Sequence, residues 1–273
     1  MRIGIAHTLR HTSDAPLQPA LQRLRLRPSS SIGQTVEHWE VLANGMPPEL
    51  SYTDGFGNHV DLVRHSNDEK VSTIVSRGEL TTHNNAGVSA FPDDSTIPWL
   101  FLRETPLTRP GDSLIELASA LKSSRNCLLM LHELMAIVHD RLKIEPSNTD
   151  DVSDAEDAWI NSRRTSRDSA HVYIAVSRRL GIPARFTSGY LLDDTHETRA
   201  VSHAWTEVYV DHLGWVGFDP ANNLCPNERY VKLATGLDAC GAAPFTSLRS
   251  NAGDATQTVE IAVSSCRPHA GDG

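Results

Sequence analysis

Cysteine is scarce here: Cys127, Cys225, Cys240 and Cys266 are the only four, widely spread, with no C-x-x-C pair. A disulfide framework or a zinc knuckle needs closer or paired thiols, so reduced structural thiols are expected. Long apolar runs are missing too, and nothing approaches the ~20 residues that cross a bilayer. The amino terminus, Met1-Arg2-Ile3-Gly4-Ile5-Ala6-His7, lacks the apolar core of a signal peptide. No basic cluster offsets the formal net charge of −9, which disfavours nucleic acid and anionic lipid as partners. These absences predict a cytoplasmic protein with no nucleic-acid and no membrane partner. Hydrophobic residues at 39% and charged residues at 22% are ordinary globular usage. The 273 residues suffice for one large domain or two modest ones with a real core. No internal repeat or low-complexity tract is present, and oligomeric state is not readable.

Residues 1 to 95 read as an amino-terminal β domain. Arg2 to Leu9 alternates, Leu21 to Leu26 is an extended run ending at Pro28, and Gln34 to Leu42, His59 to Val63 and Val71 to Val75 follow. Turn chemistry such as Asp54-Gly55-Phe56-Gly57-Asn58 separates them, which suggests a small antiparallel sheet or sandwich. From Gly111 the period becomes helical. Asp112 and Ser113 are candidate caps before Leu114, Leu117, Ala118 and Leu121. A second helix is expected over Cys127 to Leu142, ended by Pro146, with an acidic loop and a short helix around Trp159 after it. A third begins near Ser166, buries Ala170, Tyr173, Ile174, Ser177 and Leu180, and stops at Gly181-Ile182-Pro183. Strands are expected over Ala184 to Leu192, Ser202 to Val210 and Gly214 to Asp219. Residues 221 to 250 read as irregular, Thr256 to Val263 as a closing strand, and 264 to 273 as a disordered tail. The core domain is thus placed at 96 to 263.

Three segments concentrate reactive side chains: Ser166-Arg167-Asp168-Ser169-Ala170-His171, Ser202 to Tyr209, and Gly214 to Pro220. They supply a hydroxyl at a helix start, an imidazole (His203) on one strand and a carboxylate (Asp219) ending the next. Nucleophilic acyl transfer needs that set. The hydroxyl attacks a carbonyl, the imidazole carries the proton, and the carboxylate fixes its tautomer. Helix-start N–H groups favour the developing oxyanion.

The runs Arg178 to Arg185, Ser188-Gly189-Tyr190, His203-Ala204-Trp205 and Gly214-Trp215…Phe218-Asp219-Pro220 together resemble the core of bacterial transglutaminase-like proteins, of the papain-like superfamily. Leu24 to Pro28 and Asp54…Gly57-Asn58 resemble the β domain that precedes that core, and Val231 to Val263 its usual tail. The resemblance implies an α+β fold: an amino-terminal antiparallel β domain, then a papain-like core with a helix packed on an antiparallel sheet. It implies a triad of Ser166, His203 and Asp219, with serine where the family has cysteine, because Asp168, Ala170 and His171 fix the register. A hydroxyl is too weak an acid to rest as the anion and needs its base during attack. Three readings of Ser166 stay open: a natural Ser/His/Asp nucleophile, an engineered silencing replacement, and a natural pseudoenzyme that binds a peptide or acyl ligand.

Other readings of the same residues compete. Serine is a favoured helix cap, an isolated histidine is more often structural, and Asp219-Pro220 could simply start a turn. Pairing across 211 to 214 predicts Asp219 opposite Thr206, so reaching His203 calls for a bulge or strand tilt. Asp168 and His171 are candidates for shaping the pocket, Tyr190 and Trp205 for lining it, and Arg185 for a buried ion pair. His132 and His139 share a helical face but lie about 10 Å apart along it, too far for one ion. No G-x-S-x-G elbow exists, and the order Ser, His, Asp is not that of an α/β-hydrolase. The expected activity is acyl transfer at an amide or ester of a small-molecule or peptide substrate, as a hydrolase (amidase or peptidase), transamidase or cyclase. No cofactor and no metal are called for.

Overall fold

The first ninety residues form strands, in chain order β1 (Arg2–Ser13), β2 (Leu21–Leu24), β3 (Gln34–Ala43), β4 (Leu50–Thr53), β5 (His59–Arg64), β6 (Val71–Thr82) and β7 (Val88–Ala90). Among the described residues four α-helices follow: α1 (Asp112–Leu121), α2 (Cys127–Arg141), α3 (Ala155–Ile160) and α4 (Ser166–Arg179). The rest is β again: β8 (Ala184–Leu192), β9 (Ala200–Val210), β10 (Gly214–Phe218), β11 (Tyr230–Gly236), β12 (Phe245–Ser247) and β13 (Ala255–Ser265). The computed structural model describes residues 1–13, 21–64, 70–90, 97–122, 126–142, 153–162, 165–192, 200–247 and 255–265. Pro146, residues 149 to 152 of the acidic loop, and 266 to 273 of the expected tail lie outside them.

The fold is α+β, with every strand pairing antiparallel. Among the described residues three sheets run β13-β1-β6-β3, β12-β2-β5-β4 and β11-β8-β9-β10-β7. Three of these memberships differ from the linear division expected at residue 95. β7 joins the core sheet through β10, β12 pairs with β2, and the closing strand β13 pairs along β1 rather than with the core. Ser264 and Ser265, expected in the tail, belong to β13. The region read as irregular holds β11 and β12. A register shift between Lys232 and Ala234 breaks the alternation that would have marked β11.

α4 is the pivot of the core. Every residue from Asp168 to Arg178 is buried, because β8 and β9 cover one side and α1, α2 and α3 the others. It ends in a Schellman motif. Gly181 at φ +82° takes the left-handed conformation, and the N–H groups of Gly181 and Ile182 donate to the Arg178 and Ser177 carbonyls. Asp112 and Ser113, the candidate caps of α1, do not cap it. Its N-cap is Gly111, and the Glu156 carboxylate of α3 accepts from the N–H groups of Gly111, Ser113 and Leu114 at 2.9, 2.8 and 3.2 Å. One apolar core surrounds α4, and a second joins β1, β3 and β6 to Tyr190, Val231 and Leu233 of the core sheet.

Candidate active site

β9 and β10 pair without any register shift, from Gly214↔Val210 to Phe218↔Thr206. Continued one step, that register sets Asp219 opposite Trp205, not Thr206. Asp219 therefore lies diagonal to His203 on the same face, within reach of a long side chain. The bulge or tilt expected from sequence is unnecessary. β10 stops at Phe218, and Asp219 opens a turn in which its N–H donates to the Leu224 carbonyl at 2.9 Å.

The Asp219 carboxylate is wholly buried and fully engaged. Its Oδ2 accepts from His203 Nε2 at 2.7 Å, Asn222 Nδ2 at 2.7 Å and Tyr230 OH at 2.6 Å. Its Oδ1 accepts from the Ala221 N–H at 3.0 Å. Burial opposes the charge, but the hydrogen bond and charge of His203, with the bonds from Tyr230 and Asn222, outweigh it and hold Asp219 below the usual carboxylate range. Burial and the Asp219 charge push the Tyr230 phenol far above its ordinary value, so it stays a donor. A carboxylate only accepts, so His203 Nε2 carries the proton. In neutral imidazole Nδ1 is then the lone-pair nitrogen available as a base. Trp205 packs edge-on to Tyr230 at 5.4 Å and beside His203 at 6.5 Å. Gly189 makes room for it: a Cβ there would stand 2.7 Å from the indole.

Ser166 is the first residue of α4 and half-buried. Capping falls to Thr165, whose Oγ1 accepts from the Asp168 N–H at 3.1 Å and donates to Asp168 Oδ2 at 2.6 Å. Asp168 is thereby occupied with the helix start. The Ser166 hydroxyl makes no hydrogen bond among the described residues. α4 rests on β9 through Thr206 Oγ1, which donates to the Ala170 carbonyl at 3.2 Å. Alternation along β9 sets Ala204, Thr206 and Val208 toward α4, and His203 and Trp205 on the other face.

Two expected site residues lie elsewhere. Tyr190 is wholly buried in the second core, its hydroxyl 2.7 Å from His7 Nδ1 of β1. His171 is also wholly buried; its Nε2 accepts the Ala239 N–H at 3.1 Å, and burial lowers its pKa to about 4. It braces the chain after β11. Arg185 makes the expected ion pair, to Glu207 Oε2 at 2.6 Å, with its guanidinium 4.0 Å above Trp215. His132 packs on Phe218, and His139 Nδ1 lies 3.2 Å from the Pro220 and Ala221 carbonyls, steadying the Asp219 turn. Among the described residues no group of three His, Cys, Asp or Glu could hold a metal, and no helix is long and apolar enough to cross a membrane. Sequence reasoning missed Tyr230 and Asn222. The run Tyr-Val-Lys-Leu-Ala-Thr before Gly236 was a strand signal for the first, and an asparagine three residues after Asp219 a turn signal for the second.

Residues 116–220 match the transglutaminase-like superfamily, and residues 3–81 match the bacterial transglutaminase-like N-terminal region. The uncharacterized protein ML0607 of Mycobacterium leprae is 26% identical over 95% of this chain and 98% of its own length. The uncharacterized protein Rv2569c of Mycobacterium tuberculosis is 22% identical over 90% of this chain and 87% of its own. A crystal structure from Cytophaga hutchinsonii, called a "putative cysteine protease", superposes with a TM-score of 0.75 at 20% identity, covering 97% of this chain and 90% of that one. At that identity the likeness is one of fold.

Proposed function

With a transglutaminase-like core as the premise, we propose that this protein transfers an acyl group from an amide or ester through a covalent intermediate on Ser166. The observation that carries this reading is the buried His203–Asp219 pair, with Asp219 locked by Tyr230, Asn222 and the Ala221 N–H. Ser166 Oγ attacks the carbonyl carbon as His203 Nδ1 takes its proton, and the C=O electrons move onto oxygen. Backbone N–H groups at the start of α4 face that oxyanion. Collapse expels the amine or alcohol, which leaves with the proton from His203. An acceptor (water, an amine or an internal nucleophile) then repeats the sequence in reverse order and frees Ser166. Asp219 stays charged throughout and holds the imidazolium.

A second reading, a binding scaffold that keeps the cleft without acylation, is favoured by two observations. The Ser166 hydroxyl has no hydrogen bond among the described residues, and His203 alternates with the residues that face α4. The experiment compares the protein with its Ser166→Ala and Ser166→Cys variants against activated acyl esters and amides, reading intact mass and turnover. Acylation of the serine form, lost with alanine, is the expected result. Acylation of the cysteine form alone assigns the site to a cysteine mechanism and ends the serine one, and no adduct on either leaves the binding scaffold.

A further inference from the structure

A cavity lies on the far side of Trp205 from the α4-facing surface, between the chain around Gly33 and Asn85 and the strands β9, β10 and β11. Trp205 and Tyr230 form its apolar wall; Gln34, Asn85, Glu207 and Lys232 line it beside Ser31, His83, Ser89 and Asn227. Gln34 is spent on structure: Oε1 accepts the Lys232 N–H at 2.8 Å, and Nε2 donates to the Lys232 and Ser29 carbonyls at 2.9 Å each. Glu207 is spent as well. Both its oxygens accept from Lys232 Nζ, at 2.9 and 2.8 Å, and Oε2 also takes Arg185 Nε at 2.7 Å.

Among Gln34, Asn85, Glu207 and Lys232, two donors are left over. The Lys232 ammonium has three protons, and among the described residues Glu207 is the side chain that accepts from it. Asn85 Nδ2 is buried from solvent and has no hydrogen-bond partner among the described residues, which costs free energy until an acceptor arrives. Charge points the same way. Two cations, Arg185 and Lys232, converge on one carboxylate, so the cluster carries an excess positive charge in a largely buried place. Donors without acceptors and positive charge without its balance fit an anion with a flat acceptor group. The aromatic wall fits a short apolar body.

We propose that this cavity binds a carboxylate, from a free small acid or a peptide C-terminus, with Lys232 and Asn85 as its donors and Trp205 and Tyr230 against its body. Burial and Arg185 lower the Lys232 pKa to about 8, and a bound anion would favour the charged form. Nothing in this binding requires Ser166 to be a nucleophile.

The test is calorimetric titration of the full chain with N-acetylglycine, with N-acetylglycinamide as the uncharged control and acetyl-Ala-Ala-Gly as the peptide acid. The acid should saturate, and the amide should bind at least about tenfold more weakly. Asn85→Ala and Lys232→Met should each weaken acid binding by about tenfold. Asn85 lies outside the strands, so its variant keeps the fold even if Lys232→Met does not. Equal binding of both acids supports the proposal with a peptide terminus as the source, and binding of N-acetylglycine alone supports it with a free acid. Equal affinity for acid and amide, unchanged affinity in Asn85→Ala, or no saturation by about 50 mM overturns it.

Discussion

Three donors converge on one oxygen of Asp219, and that crowding governs what substitutions there should do. A carboxylate whose pKa is held low stabilises the fold fully above the ordinary carboxylate value of about 4, and loses that contribution as pH falls through its folded value. Tyr230→Phe removes one donor from the charged form. It should lower unfolding free energy by about 2 kcal/mol at pH 7. Urea titrations across pH should show the gap closing only as pH falls through the folded value of Asp219, below the ordinary carboxylate range. A gap that persists in acid would mean that Tyr230 acts by packing alone. Asp219→Asn goes further, because an amide can no longer hold His203 Nε2–H against an acceptor-only partner. Turnover of an activated ester should fall roughly a thousandfold, and Tyr230→Phe should reduce it far less. Equal losses in the two variants would show that Asp219 serves only as a structural anchor. At this scale the histidine and aspartate were legible because each sits in a dense local motif. Tyr230 was not, since it meets Asp219 only through the pairing of β11 with β8, which no local pattern encodes.

Helix starts show how an element is completed from outside its own sequence. α4 is capped locally, by Thr165 and Asp168, and its beginning was expected near Ser166, where it lies. α1 is capped from a distance, by a carboxylate 42 to 45 residues further along, so local reading chose Asp112 and Ser113 instead. Glu156→Ala leaves three backbone N–H groups in a part-buried place without an acceptor. It should cost about 2 kcal/mol in chemical unfolding, whereas Asp112→Asn should stay within about 0.5 kcal/mol. The reverse ranking would return the cap to Asp112. The same distinction separates the strands. β8, β9 and β10 were legible because alternation and turn residues mark them. β11 was obscured by its register shift, and β12 by its three-residue length. The Asp219 register was misjudged by one residue because the turn between β9 and β10 was counted one residue too long. A one-residue difference in such a turn moves every pairing beyond it.

Across the whole molecule the two halves are tied by strands that cross the linear division and by a shared apolar core. β13 closes the sheet of β1, and β7 closes the core sheet. At the junction His7 of β1 meets Tyr190 of β8, both buried, and burial lowers the His7 pKa to about 4. His171 is lowered to the same value for the same reason. An unfolded histidine protonates near pH 6.5, whereas these two resist protonation until about pH 4. Between those values the unfolded chain binds more protons, so stability is full above pH 6.5 and falls as the solution is acidified. Each group contributes a slope approaching about 1.4 kcal/mol per pH unit, and together about 2.7. Buried carboxylates such as Asp219 and Glu207, held low, add their own loss only near and below pH 4, so the histidine slope is isolated between pH 6 and 5. The double variant His7→Phe/Tyr190→Phe replaces both partners with apolar rings of similar shape, leaving no orphaned polar group. Its slope in that window should drop by about half, measured as unfolding free energy from urea titrations at closely spaced pH. An unchanged slope would mean that His7 takes up its proton in the folded state, with water reaching the junction between β1 and the core sheet.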